Sequence, residues 1–225
     1  HGHSDFRSPD ADYSLAQDVG DLFELADALG WPTFRLVGHS RGAAAASLFA
    51  GAFPGRVEQL VLIEGGVPTI DAAADAPEAL AGSLRERRTL AGRGGRVFAT
   101  REAAIAERAG GFTPVSLEAA EILARRSLGE VEGGFSWQAD QRLKARSRRF
   151  TIEQVMAFVQ GIRAPVLMVL AEQSPFAGRP LYREAMTWFG DLEVVTLPGR
   201  HHLHLEGAEG EIAARILRFF GLAPG

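Results

Sequence analysis

The spacing of hydrophobic residues in the first part of the chain predicts helices that alternate with strands. From Leu15 to Leu29 the hydrophobic residues recur every three or four residues, which is typical of an amphipathic helix. Ser14 is a candidate N-cap for this helix, and Gly30-Trp31-Pro32 would end it. Three more elements are predicted in this part: a strand at 34–38, an alanine-rich helix at 43–53 and a buried strand at 57–63.

The same alternation returns after residue 162. Strands are predicted at 165–170 and 192–197, and helices at 179–189 and 208–220. One face of the last helix is expected to carry its large apolar residues, Ile212, Ile216, Leu217 and Phe220. Strands that alternate with helices favour an α/β fold with a mostly parallel sheet flanked by helices.

The segment between these two parts has a different character. Glycine and arginine are frequent from 67 to 162, and apolar runs are short. Helices are predicted near 99–109, 116–128 and 151–161. We therefore predict a core made of residues 1–66 and 163–225, with residues 67–162 forming a helical cap.

Composition narrows the class of protein. The 225 residues are 46% hydrophobic and 23% charged, with a mean hydropathy near zero, as in ordinary globular domains. Without cysteine there is no disulfide, thiolate metal site or catalytic thiol. A net charge of −4 gives no footprint for nucleic acid. Lys144 is the one lysine among 24 basic residues, an arginine bias that we attribute to a bacterial-like genome composition.

Two segment types are not found in the sequence. No run of about 18 apolar residues is present that would span a membrane. The first residues do not resemble a signal peptide, so we expect a cytoplasmic protein.

A nucleophile motif lies where the first predicted strand meets the alanine-rich helix. Gly38-His39-Ser40-Arg41-Gly42 fits G-x-S-x-G, and a strand–turn–helix around it is the context of a nucleophile elbow. The turn is expected to need glycine on both sides of Ser40, because bulkier side chains would collide. Ser40 is the predicted nucleophile, and the backbone N–H of Arg41 a predicted oxyanion donor at the helix N-terminus.

With this motif the chain resembles the α/β-hydrolase superfamily over its whole length. Gly2-His3-Ser4-Asp5 is similar to the G-x-S-D that follows the fourth strand in these enzymes. Within the superfamily, segments 101–104, 137–140 and 151–155 resemble the serine-hydrolase-like group. The resemblance implies an α/β-hydrolase fold with a helical cap, and a mechanism more than a particular substrate.

The predicted general base lies in a histidine-rich loop after the last strand. His201 follows a Pro-Gly turn and precedes Glu206 by five residues, which resembles the G-x-H-x-x-x-x-E region of the superfamily. His202 and His204 are interpreted as polar loop residues. A metal site in this His-His-x-His segment is not favoured, because the chain lacks cysteine and no paired carboxylates lie nearby. We expect neither a metal nor another cofactor.

The acid departs from the superfamily pattern. In most relatives an aspartate follows the strand after the cap, but Ser174 occupies that position and cannot hold a histidine in one tautomer. Two carboxylates remain candidates. Glu64 ends the strand at 57–63, and its Glu-Gly sequence is similar to the serine-hydrolase-like group; Glu172 is on the customary loop but two residues early. Glu64 is favoured because it ends the strand beside the elbow strand, and it keeps the chain order serine, acid, histidine.

The resemblance also implies strands before the elbow that the chain lacks. About 50 residues would be needed for them, including a His-Gly loop that gives the second oxyanion donor. The elbow strand would then be an edge of the sheet, with unpaired backbone groups. We expect an N-terminally truncated core that a missing N-terminal segment or a second chain completes.

These residues predict a reaction class. A serine nucleophile with a histidine base suits acyl transfer, so we predict a hydrolase of small carboxylic esters or thioesters with an acyl-enzyme intermediate. Two alternatives stay open: a C–C bond hydrolase with the same triad, and a non-catalytic binding module. Aromatic residues of the predicted cap either line an acyl pocket, with His39 beside it, or pack the cap itself: Phe98, Phe112, Phe135, Trp137 and Phe158.

Overall fold

The computed structural model describes residues 2–222, and these divide into two compact units. The large unit comprises Ser14–Ala76 and the chain from Arg149 onward. The small unit comprises the chain through Tyr13 and Pro77–Arg148. His1, the first residue of the N-terminal segment analysed above, lies outside the described residues.

The large unit is built on a parallel sheet. Its strands, in the order in which they lie side by side, are β1 (Phe34–His39), β2 (Val57–Ile63), β6 (Val166–Ala171) and β7 (Leu192–Leu197). Its helices are α1 (Leu15–Ala28), α2 (Arg41–Ala52), α6 (Ile152–Gly161), α7 (Pro180–Met186) and α8 (Glu209–Phe219), with 3₁₀ turns at Ala73–Asp75 and Leu203–Leu205. The predicted α/β fold is confirmed.

Both faces of this sheet are covered, which explains the continuous apolar runs in its central strands. In β2, Leu60 and Leu62 join one hydrophobic cluster while Val61 and Ile63 join another. Residues of β6 alternate in the same way between the two clusters. The first cluster includes residues of α2 and α6, and the second includes Ile212 of α8. In α8, Leu217 is exposed, so its predicted place on the apolar face is wrong.

Helix α6 belongs to the large unit rather than to the predicted cap. Thr151 caps it through a reciprocal box with Gln154, in line with its predicted start. Gly51 of α2 lies against the backbone of Phe158, so close that any side chain at Gly51 would collide with it. Helix α6 therefore packs on α2, and because the large unit resumes at Arg149 the predicted cap boundary near 162 is corrected.

The small unit also differs from the predicted helical cap, because it contains strands as well as helices. It holds α3 (Ala76–Leu90), which starts at the boundary, α4 (Arg101–Ala109), α5 (Leu117–Ser127) and a 3₁₀ turn at Gln141–Lys144. It further contains an antiparallel sheet of β3 (Val97–Phe98), β5 (Gly134–Trp137) and β4 (Leu128–Val131), in that spatial order. The two-residue connection Glu132-Gly133, with Gly133 at φ 85°, makes the hairpin between β4 and β5.

A buried ion pair ties the N-terminal segment into the small unit. Arg142 and Asp140 lie 2.7 Å apart with side chains 8% exposed. The Arg142 guanidinium also donates to the carbonyls of Arg7 and Ser8, and the Tyr13 hydroxyl donates to Asp140 at 2.9 Å. The described residues through Tyr13 therefore belong to the small unit, and their predicted place in the core is corrected.

Strand β1 is an edge of the sheet, as the sequence analysis expected. Within residues 2–222 its backbone pairs with β2 alone. Val37, in the middle of β1, is 46% exposed. Among the described residues 2–222, no helix is both long and apolar enough to cross a bilayer.

Candidate active site

The turn between β1 and α2 places Ser40 in a strained conformation. Ser40 has φ 53° and ψ −117°, a backbone conformation that residues other than glycine rarely adopt. A Cβ at Gly38 would lie 2.5 Å from the carbonyl oxygen of Gly42 and 2.7 Å from the backbone nitrogen of Ala43, so this glycine is required. The backbone is therefore bent sharply enough to present the Ser40 hydroxyl at the carboxyl end of β1.

The predicted need for glycine on the other side of Ser40 is wrong. A Cβ at Gly42 would meet no atom within 4 Å. The second crowded position is instead Gly65, directly after β2, where a Cβ would lie 2.6 Å from the Ser40 carbonyl oxygen. The strand next to the elbow, and not the elbow helix, restricts side-chain size there.

His201 connects the serine to a carboxylate. It follows β7, is 6% exposed, and its Nε2 lies 2.9 Å from the Ser40 Oγ. Its Nδ1 lies 3.1 Å from the Glu64 Oε2. A carboxylate only accepts, so Nδ1 carries the proton, and the neutral ring has its lone pair on Nε2, toward the serine hydroxyl. The imidazole is thus held in the tautomer that can accept a proton from Ser40.

The Glu64 side chain is held by one backbone N–H of the neighbouring strand β6 and by His201. Its side chain is fully buried, and Oε1 accepts a hydrogen bond of 2.7 Å from the Ala171 N–H. Among residues 2–222, Glu64 (φ 47°) and Ser40 are the two non-glycine residues with positive φ. Such strain costs about 1–3 kcal/mol per residue and concentrates at functional sites. A buried carboxylate needs partners, and the two hydrogen bonds to Glu64 provide them.

Comparison with known proteins shows the family to which the chain belongs. The sequence pattern described as the alpha/beta hydrolase fold matches residues 1–208. The chain belongs to the α/β-hydrolase family. The resemblance on which the sequence analysis relied is therefore confirmed, and the chain is a hydrolase-family protein.

Relatives and solved structures refine this membership. A serine hydrolase-like protein from Danio rerio is 28% identical over 93% of this chain, which spans 67% of that protein. The 2-(acetamidomethylene)succinate hydrolase of Mesorhizobium japonicum is 28% identical, over 98% of this chain and 74% of its own length. A crystal structure of a hypothetical protein from Pseudomonas aeruginosa PAO1 is 39% identical with a TM-score of 0.92, over 99% of this chain and 79% of that one.

The alternative acid does not contact the histidine of this α/β hydrolase. Glu172 is exposed just after β6, and both ring nitrogens of His201 are already occupied by Glu64 and Ser40. Ser174, at the position usual for the acid, accepts hydrogen bonds from the backbone N–H groups of Phe176 and Ala177 instead. That serine shapes a turn, so the loop has a structural use without a carboxylate.

Two aromatic residues near the site were not anticipated from the sequence. The Tyr182 hydroxyl donates to the Gly65 carbonyl at 2.7 Å, and burial together with the nearby Glu64 charge raises the pKa of Tyr182. The Phe176 ring packs edge-on against His201 with centroids 5.3 Å apart. Neither residue lies in a motif, so the only usable signal was its position after β6, the strand next to β2.

His202 and His204, the other two histidines of the loop after β7, form a cluster with His39. The His39 Nε2 lies 2.8 Å from the His201 carbonyl, which can only accept, so that nitrogen carries a proton. Burial is the main cause that lowers the pKa of His39. Burial, together with His39 and His201, also lowers the pKa of His204 to about 4. Both rings are therefore neutral near pH 7.

The predicted pocket aromatics belong mostly to the small unit. Phe98 and Phe135 are directly paired across β3 and β5, and Trp137 is half-buried on β5. Phe112 is fully exposed, and Phe158 packs edge-on against Phe150 in the large unit. A role for Phe98, Phe135, Trp137 or His39 in substrate binding stays a prediction.

Arg41 occupies the predicted oxyanion position as the first residue of α2. Its guanidinium pairs with Asp18 of α1 at 2.6 Å. Its backbone N–H remains the predicted oxyanion donor.

Proposed function

We propose that this chain is a serine hydrolase that cleaves small carboxylic esters or thioesters through an acyl-enzyme intermediate. The observation that carries the proposal is the hydrogen-bonded series from the Ser40 Oγ through His201 to the buried Glu64. In that series Ser40 is the nucleophile, His201 the general base and Glu64 the acid that orients it. The roles follow from the tautomer of His201, whose Nε2 lone pair faces the hydroxyl.

The proposed reaction has two halves. Ser40 Oγ attacks the acyl carbon while the His201 Nε2 takes the hydroxyl proton, and Glu64 stabilises the imidazolium that forms. The tetrahedral oxyanion would be stabilised by the Arg41 N–H and the N-terminus of α2. When it collapses, the alcohol or thiol leaves with the proton from His201. Water then attacks the acyl-serine with the same base, which releases the carboxylic acid and restores Ser40.

The first test is covalent labelling of the serine. A fluorophosphonate probe should add once to the wild-type chain, because phosphonylation also requires an activated serine, and intact mass spectrometry would detect the single adduct. Ser40→Ala should give no adduct under the same conditions. If Ser40→Ala is labelled to the same extent as the wild type, or if folded wild-type protein takes no label, the proposed nucleophile is wrong.

The second test separates the two candidate acids. Glu64→Gln should lower kcat by about 10⁴-fold, because an amide no longer stabilises the imidazolium and favours the wrong tautomer. Glu172→Gln is the matched control and should keep the wild-type kcat, since its carboxylate is exposed and both His201 nitrogens have other partners. The reverse ranking of the two variants on an activated aryl ester would overturn the assignment.

A substrate panel separates the remaining function classes. Activated aryl esters and acyl thioesters should turn over, while vinylogous diketones, the substrates of a C–C hydrolase, should not. One relative is named for hydrolysis of 2-(acetamidomethylene)succinate, so that compound belongs in the panel. A non-catalytic binding module would turn over none of these compounds and would be indifferent to Glu64→Gln.

A further inference from the structure

We propose that His39, His202 and His204 form a binding site for a zinc-like transition-metal ion beside the candidate active site. One ring nitrogen of each residue lies within 4.8 Å of the corresponding nitrogens of the other two. The ring centroids of His39 and His204 are 4.1 Å apart, and those of His39 and His202 are 5.1 Å apart. None of the three rings takes part in the chemical steps of the proposed hydrolysis.

The spacing of the three rings suits one shared ion. Zinc binds imidazole nitrogen at about 2.0–2.1 Å, so tetrahedral ligands lie roughly 3.3 Å apart. The three nitrogens lie within 4.8 Å of one another, so each needs only a small movement to reach that spacing. Three imidazoles would leave the fourth position for water, and this donor set suits zinc, copper or nickel rather than magnesium or calcium.

Hydrogen bonding already prepares His39 as a ligand. Its Nε2–H donates to the backbone carbonyl of His201, which leaves the lone pair on Nδ1. Histidines that bind metals usually donate their other N–H to a carbonyl or carboxylate in the same way, which fixes the ring and its tautomer.

His204 provides a second, independent indication. Its Nδ1 is buried and has no hydrogen-bond partner among the residues that the structure describes. Leaving a buried polar atom without a partner is costly, and a bound ion is one way in which folded proteins satisfy such an atom. An ion shared with His39 and His202 would satisfy this nitrogen.

Binding at this site would act on the neighbouring reaction. His39 precedes Ser40 in the chain and His202 follows His201. Two of the three proposed metal ligands are therefore sequence neighbours of proposed triad residues. A dication there would oppose the positive charge that His201 gains when it accepts the serine proton. We therefore expect the bound ion to slow ester hydrolysis reversibly, a consequence that rests on the proposed function.

The test measures metal binding directly and needs no activity. Protein freed of metal with EDTA and then desalted is titrated with Zn²⁺ against a chromophoric chelator. One equivalent should bind to the wild type, and His202→Ala and His204→Ala should each weaken the affinity by at least about tenfold. His3→Ala is the matched control, because His3 is exposed in the small unit, and it should bind as the wild type does.

The outcomes decide the proposal in either direction. Circular dichroism identifies any variant that does not fold. If His204→Ala does not fold, the zinc affinity of His202→Ala alone is compared with that of the wild type, because His202 is half-buried. The site is refuted if the wild type binds no zinc, if folded His202→Ala retains the wild-type affinity, or if His3→Ala weakens it equally. Inhibition without these binding differences would assign the effect of zinc to the triad itself.

Discussion

At the residue scale, the candidate site depends on two strained positions that face each other across neighbouring strands. Ser40 and Glu64 both have positive φ, and each directly follows a strand. Gly65 makes this possible, because its lack of a side chain lets β2 end against the Ser40 carbonyl. The Glu-Gly pair that resembles the serine-hydrolase-like group thus has a steric reason in this fold.

A pair of glycine variants tests that steric reason. Gly65→Ala should lower the free energy of unfolding by about 1–3 kcal/mol, because its Cβ would lie 2.6 Å from the Ser40 carbonyl oxygen. Gly42→Ala should instead be neutral or raise it by up to about 1 kcal/mol, because its Cβ meets open space in the first turn of α2. Urea denaturation of both variants checks this. Equal destabilisation by the two changes would contradict it.

At the scale of elements, the sequence predicts most of the large unit correctly and misassigns one helix. The pattern of apolar residues predicts α6 itself, because helical periodicity is a local property. Its assignment to a cap is wrong, because packing against α2 depends on Gly51, more than 100 residues earlier. In the small unit, the short strands β3, β4 and β5 were missed, since two- to four-residue strands have too few positions to show alternation.

His204, in the loop after β7, is expected to make the free energy of unfolding depend on pH. The pKa of His204 is about 4 in the folded chain and 6.5 for the free side chain, so between these values the unfolded chain binds the extra proton. The stabilising contribution is complete above about pH 6.5 and is lost as the pH falls towards about 4. His39 and His201 repel the added charge and act in the same direction.

Urea denaturation across this pH range, with EDTA present, measures the effect. His204→Gln should show a shallower loss of stability between pH 6.5 and 4 than the wild type, because glutamine does not titrate. His3→Gln should keep the wild-type slope, since His3 is exposed. A His204→Gln slope equal to that of the wild type would show that the ring titrates normally in the folded chain.

At the scale of the whole molecule, each unit is stabilised differently. The large unit has two hydrophobic clusters on the faces of its parallel sheet. The small unit relies in part on Asp140 and Arg142, an ion pair shielded from water. Removing one partner of such a pair leaves the other charge buried without compensation, which is more damaging than the pair's own net contribution.

Arg142→Met should therefore destabilise the small unit by about 3–5 kcal/mol. It leaves the buried Asp140 carboxylate without its cation and frees the carbonyls of Arg7 and Ser8. Arg85→Met is the matched control in the same unit, where the ion pair with Glu78 is exposed, and should change stability by less than about 1 kcal/mol. Urea denaturation and the rate of proteolysis near the N-terminal segment provide the measurements.

The sequence alone determined the features that depend on neighbouring residues. The strands at 57–63 and 192–197, the elbow at Ser40 and the position of His201 after a strand all follow from local periodicity and turn residues. Their order along the chain predicts an α/β fold, and the motif around Ser40 carries the resemblance to the α/β-hydrolase superfamily.

The tertiary structure decided what depends on distance in space. Glu64 and not Glu172 reaches His201. Glu64 is 137 residues before His201 in the chain, yet it directly follows β2, which lies beside β6, and the Ala171 N–H of β6 donates to the carboxylate. His39 joins His202 and His204 for the same reason, since parallel strands bring their carboxyl ends to one edge of the sheet. Sequence spacing contains no such information, because side chains converge there only after the strands have paired.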